Sequence, residues 1–173
     1  EHPHFRSGET SSIPVRLRED IFQYFTVEVF EQLKSETRGF LLKTAHLPKI
    51  TATMSRKLTG MAESLKTLED LSRHNFFTIR LGLHETAYQY HPLFRDFLLD
   101  RARDIFPPDQ LADLKRDAAR VLEEADETED AIDLYLQADT WPEAARLICT
   151  MAPALLKQGR AVVVNKWIDR VPA

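Results

Sequence analysis

Residues 88–106 read YQYHPLFRDFLLDRARDIF, a stretch that begins as a strand and ends as a helix, with His91-Pro92 at the seam. Proline at a first helical position has no N–H to leave unpaired and a preset φ, so Pro92 marks the first turn and His91 the N-cap. The free N–H groups of that turn then point outward beside the imidazole, a geometry suited to an anion such as a phosphate. The other reading is that His91 caps its helix and packs on Tyr90. From spacing alone both stay open.

Working upstream, Phe77, Ile79 and Leu81 alternate with Thr78 and Arg80, and Tyr88 and Tyr90 flank Gln89, so two strands are expected around the connection GLHET (residues 82–86). Before them the period is helical. Ile21, Phe22, Phe25, Val29 and Leu33 form one amphipathic face. Ser35 is the expected N-cap of a second helix with Phe40, Leu41 and Thr44 inside and Pro48 as its stop. A third spans Thr51 to Thr59, burying Met54 and Leu58 and ending at Gly60, and a fourth carries Leu65, Leu68 and Leu71 at helical intervals. Helices running straight into a β-hairpin, with a further helix after it, are the order of a winged helix. We place it at residues 20–106, after a polar tail or linker at 1–19.

Downstream of Pro107-Pro108 the pattern is helical throughout. Asp109 is the expected cap of a helix with Leu111, Leu114, Ala118, Val121, Leu122 and Ala125 on one face. EDAIDL (129–134) and PEAARL (142–147) echo each other, and a last helix carries Val164, Trp167, Ile168 and Val171. Residues 107–173 therefore read as the start of a tetratricopeptide-like array of α-α repeats. Such an array needs more repeats or a cap to cover its end, so self-association through apolar surface near Val164, Trp167 and Ile168 is expected. The absence of an initial Met and the stop directly after a helical pattern lead us to expect a piece of a longer chain. The fold class is mainly α, a winged helix with one β-hairpin followed by stacked helices.

Composition narrows the chemistry. The 173 residues are 43% hydrophobic and 29% charged, with a net charge of −4, 5 glycines and one cysteine, the balance of a globular protein. There is no phosphate-binding glycine loop, no CxxC pair and no nucleophile elbow, so catalysis by those routes is excluded and no catalytic residue is expected. His2 and His4 lack the further ligands that zinc requires, so no metal is expected either. Cys149 falls in an apolar helical pattern and reads as a buried, inert thiol in a reducing cytosol. No segment suggests a membrane span or export signal. The eight acids between Glu123 and Asp139 occur without a Lys or Arg, and read as a solvated face with the capacity to meet a basic partner. From Thr51 to Tyr90 the five basic residues, Arg56, Lys57, Lys66, Arg73 and Arg80, are nearly cancelled by the four acids Glu63, Glu69, Asp70 and Glu85. A domain that binds DNA needs a basic surplus to release counterions. The expected role of this winged helix is packing and signalling, with no direct DNA binding.

Beyond these patterns, YQYHPLFRDFLLDRAR (88–103) resembles a signature of MalT-like signal-transduction ATPases, large transcriptional regulators that often end in a LuxR-type helix-turn-helix. FQYFTVEVFEQLKSETRGFLLKTAHL, LEDLSRHNFFTIRL and ADTWPEAARLICTMAPALLKQGRAVVVNKWIDRVP are similar to further stretches of that family, in the same order, over roughly Ile21 to Pro172. The resemblance implies a cytoplasmic regulatory fragment, not itself an enzyme. Its neighbours in the same chain would be an ATPase core and a helical sensor of a small-molecule or protein inducer. The fragment itself would hold no cofactor, with ATP or ADP in the parent. The wider class has a histidine at this seam that holds the β-phosphate of ADP in the resting state, and only His91 matches it. Pro92 stands where an Asp is common. Two rival readings are a stand-alone DNA-binding winged helix and a helical-repeat interaction scaffold.

Overall fold

A computed structural model describes residues 27–74, 76–82 and 86–172. The polar tail, the inward positions Ile21, Phe22 and Phe25, and the centre of GLHET lie outside the described residues. Residues 27–32 form helix α1 within a unit comprising Glu1–Leu33, and Lys34–Ala173 form a second unit, to which all that follows refers.

That unit opens with α2 (Ser35–Thr44), β1 (Ile50–Thr51), α3 (Ala52–Thr59), α4 (Ser64–Arg73), β2 (Thr78–Leu81), β3 (Ala87–Tyr90) and α5 (Pro92–Ile105). The three strands are antiparallel in the order β1-β3-β2, with Ile50 opposite Tyr88 and Thr78 opposite Tyr90. This is a winged helix whose sheet has one strand more than the expected hairpin. The sequence reading placed Thr51 in a helix. Instead Thr51 closes β1 and caps α3, its Oγ1 accepting the Met54 N–H at 3.2 Å. Gly60, at φ 74°, ends α3 as expected.

Three local expectations change, and the stop at Pro48 holds. Lys34, not Ser35, is the N-cap of α2, and no side chain bonds there. That helix stops at Thr44 because Pro48 has no N–H for the Thr44 carbonyl, which takes the Leu47 N–H at 3.0 Å instead. In α4 the inward stripe is Ser64, Leu68 and Leu71, at helical spacing, which leaves Leu65 exposed. In β2, Ile79 lies opposite Gln89 on the solvent face and is 52% exposed, while Thr78 is buried. Cross-strand partners share a face, so the buried Tyr90 fixes which residues of β2 point inward.

The core of the winged helix is aromatic. Phe94 is fully enclosed, its ring edge-on to Tyr90 at 5.7 Å and tilted against Phe77 at 5.2 Å. Tyr90 Oη and Thr44 Oγ1 meet at 2.7 Å, and Thr44 also donates to the Phe40 carbonyl at 2.8 Å.

Helices α6 (Pro108–Glu123), α7 (Thr128–Gln137), α8 (Trp141–Lys157) and α9 (Ala161–Ile168) follow. Between α5 and α6 stand only Phe106 (φ −89°, ψ 132°) and Pro107 (φ −54°, ψ 151°). Pro107 is the N-cap of α6, so Asp109 sits inside the first turn, where it faces the positive end of the helix rather than capping it. Ala118, Ala119, Ala131 and Ala144 are fully buried, and Ala131 and Ala144 stand at matching positions of the echoing segments.

Helices α6, α7 and α8 end alike. Asp126 (φ 61°), Asp139 (φ 54°) and Gly159 (φ 75°) are left-handed residues, each followed by an N–H that reaches back to the carbonyl five residues earlier. Those bonds are Glu127 to Leu122 at 3.0 Å, Thr140 to Tyr135 at 2.9 Å and Arg160 to Leu155 at 2.9 Å. This closure satisfies carbonyls that a helix end otherwise leaves open.

Of the residues expected at an apolar end surface, Val164 and Trp167 are buried and Ile168 is exposed, together with Val162 and Leu156. Trp167 packs inward with its Nε1–H donated to Asp133 at 3.2 Å. Cys149 is exposed, contrary to the sequence reading, because it lies beside the inward stripe of Ala144, Ile148 and Leu155 rather than on it. Among the described residues no helix is long and apolar enough to cross a membrane.

Candidate functional site

The seam between β3 and α5 is built as the sequence implies. Pro92 is the first residue of α5 and His91 its N-cap, but the imidazole makes no capping hydrogen bond. The His91 backbone does the bracing. Its N–H donates to the Phe77 carbonyl at 2.7 Å, and its own carbonyl accepts the Arg95 N–H at 2.9 Å. Phe77 has φ 44°, a costly conformation for a bulky residue. It is held there by that hydrogen bond and by its ring contact with Phe94. The outcome is a half-buried imidazole at the start of a 14-residue helix, next to exposed Pro92 and Leu93. This arrangement fits one phosphate contact, through the ring and the positive end of α5.

Helix α4, the element a DNA-binding winged helix would lay in a groove, carries its charges in local pairs. Lys66 lies 3.5 Å from Glu63 and Arg73 lies 3.2 Å from Asp70. Lys57 of α3 turns away to Glu124 at 2.6 Å. Three of the five basic residues counted in the sequence are therefore already matched by carboxylates.

The acidic run is only partly a solvated face. Glu123 takes Arg146 at 2.7 Å and the Tyr135 hydroxyl at 3.0 Å, Glu129 takes both terminal nitrogens of Arg160 at 2.6 and 2.7 Å, and Asp133 takes Arg170 at 3.2 Å. Glu124 and Glu127 reach back to the winged helix, to Lys57 at 2.6 Å and Lys49 at 3.5 Å. The partners lie at least a helix away in sequence, beyond the local window in which charges were counted. The hydrogen bond and charge of Lys57 hold the Glu124 carboxyl below its ordinary value, and Arg160 does the same for Glu129.

One feature escaped sequence reading altogether. His46, in the connection from α2 to β1, is 3% exposed and its Nε2 has no hydrogen-bond partner. It lines a cleft of about 480 Å³ together with Arg95, Asp96, Asp100 and Arg103 of α5 and Lys115 of α6. Burial first, then the charges of Lys115 and Arg95, push the His46 pKa down to about 4, so the ring is neutral at pH 7. The available signal was a histidine inside the apolar run FLLKTAHL, but nothing in it pointed to residues 49 and 69 positions away. Among the described residues no group of His, Cys, Asp and Glu could hold a metal ion.

Residues 26–111 match the family described as the MalT winged helix domain. The chain is 31% identical over 152 residues to the HTH-type transcriptional regulator MalT of Vibrio cholerae, covering 87% of this chain and 17% of that protein. Similar proteins of the same description from Vibrio parahaemolyticus (32% over 99 residues) and Cronobacter sakazakii (32% over 80 residues) are covered to 57% and 46% of this chain and 11% and 9% of their own lengths. The chain thus spans less than a fifth of each of these relatives.

Proposed function

The chain belongs to the MalT winged helix family, and from that membership we propose that it is the part of an ATP-dependent transcriptional regulator that relays nucleotide and inducer state. In this reading the winged helix faces a nucleotide-binding core, and the array leads into a helical sensor. What carries the proposal is α5 itself, which has His91 at one end and joins the array through Phe106 and Pro107 at the other. The Lys49–Glu127 and Lys57–Glu124 pairs add further ties between the two parts.

His91 would contact a phosphate of bound ADP in the resting form and lose that contact in the active one. A ligand shifts a two-state equilibrium only by its differential affinity, so one such contact is enough to bias the switch. A hydrogen bond to a charged group is worth about 1.5–3 kcal/mol, or roughly one to two powers of ten in the resting-to-active ratio. Bound nucleotide supplies the phosphate, while this chain supplies the imidazole and the first turn of α5. The paired charges on α4 support a packing role for the winged helix over a groove-reading one.

The test is the nucleotide release rate of a full-length regulator carrying this chain, compared with His91→Ala and His91→Asn, with thermal stability measured alongside. Faster ADP release in both folded variants is expected. Asn is a good helix cap, so equal release from all three proteins would mean that His91 acts only in holding the seam, and the proposal would fail.

A further inference from the structure

The cleft between the α2–β1 connection, α5 and α6 gathers polar groups whose bonding capacity is unspent. Arg95 donates Nε–H to the Ala45 carbonyl at 2.8 Å, which fixes the plane of its guanidinium. No carboxylate forms an ion pair with it among the described residues. Asp96 and Asp130 are near enough to be felt electrostatically, yet burial dominates and lowers its pKa. Lys115, half-buried, likewise has no ion pair among the described residues. The third group is His46, whose Nε2 is enclosed without a hydrogen-bond partner. Of the two carboxylates on the lining, Asp100 is taken by Arg103, and Asp96 stands exposed on the rim.

Three cations against two carboxylates give the lining a positive balance in a chain of net charge −4. Half-buried cations lining one cleft lose part of their hydration, and an anion held among them offsets that loss. The cleft's volume of about 480 Å³ suits a small molecule.

We propose that this cleft is a binding site for a small oxyanion, a phosphate or a carboxylate, held by Arg95, Lys115 and His46. The guanidinium presents its two terminal nitrogens as a fork, the ammonium adds a point charge, and the imidazole Nε2 donates in its Nε2–H tautomer. The ligand would sit between winged helix and array, joining α5 to α6. The site does not use the His91 imidazole, so the two proposals stand or fall separately.

The experiment titrates the 173-residue chain with sodium phosphate and, in a second arm, sodium malonate, at constant ionic strength set by chloride and at pH 7. NMR follows the His46 ring and the Arg95 Nε–H. Saturable shifts of both groups in at least one arm are expected, and the arm that saturates identifies the anion class. Lys115→Met should weaken that binding roughly tenfold with the fold unchanged by circular dichroism. Lys57→Met, which removes a cation outside this cleft, should leave it unchanged. Absence of saturation in both arms, or equal affinity in Lys115→Met and the parent chain, would overturn the proposal.

Discussion

In the winged helix, polar groups that bridge elements are buried: Tyr90 and Thr44 meet at 2.7 Å beneath the sheet, and Thr51 caps α3 from a strand end. In the array they are largely exposed and charged: Glu123 with Arg146 and Glu129 with Arg160. The array's interior sets small alanines among Leu122, Tyr135 and Trp167, whereas the winged helix is richer in aromatic rings, with Phe40, Tyr88, Tyr90 and Phe94. The difference follows from geometry. Stacked helices approach most closely over small side chains and place long ones at the rim, where they pair in water. A sheet packed on helices leaves a thicker gap, which aromatic rings fill together with Leu41, Leu68 and Leu98. Both halves of the unit bury apolar area, and they differ in the polar ties around it: enclosed hydroxyls in one, screened charges in the other.

Both tryptophans, Trp141 and Trp167, lie in the array, so tryptophan fluorescence reports on that half and total helicity on both. Phe94→Ala should produce the largest effect, a loss of about 3–5 kcal/mol in denaturant unfolding. If the halves are held independently, helicity will drop at lower denaturant than the tryptophan signal. Coincident transitions would show that the comparison describes chemistry but not cooperativity.

Acid should act next. The folded pKa of His46 is depressed to about 4 from 6.5. Its contribution is fully present above about pH 6.5 and is lost as pH falls from there to about 4, because the unfolded chain takes up the proton first. A shift of this size amounts to about 3 kcal/mol. Asp130 works in the opposite sense, since burial and then the neighbouring acids Glu127 and Asp133 raise its pKa. The stability difference between the parent chain and His46→Gln isolates the histidine. A difference independent of pH across this window would rule out the depressed pKa.

Tyr90→Phe removes one buried hydroxyl while Thr44 keeps its bond to Phe40, so a loss of about 1 kcal/mol, insensitive to salt, is expected in urea titration. Arg160→Gln should have the smallest effect, a slight destabilisation visible at low ionic strength and erased by added salt. Were Arg160→Gln the more damaging of the two, the contrast between buried and screened ties would be reversed.

The seam was legible in sequence because Pro92 can occupy few backbone positions and because the change of period from Tyr90 to Phe94 is abrupt. Helix existence was equally legible, and the left-handed stop at Gly60 with it. What escaped reading depends on partners. A two-residue strand is too short to show a period, and the inward face of β2 is set by Tyr90 across the sheet rather than by Ile79's own hydrophobicity. Asp126 and Asp139 look like solvated acids until their φ angles show them to be turn residues. The cleft around His46 was invisible for the same reason: its cations are contributed by α5 and α6, and only folding brings them to the histidine.

The junction of α5 and α6 has a mechanical consequence. Pro107 locks its own φ and confines Phe106 to extended backbone, so the two residues between the helices form a stiff elbow rather than a hinge. Helix α5, 14 residues long, is a rod of about 21 Å with His91 at the end remote from the elbow. Under the proposed relay, a tilt of α5 would not be absorbed at the elbow and would pass to α6 and the stacked helices beyond it, within the bounds set by the Lys49–Glu127 and Lys57–Glu124 pairs.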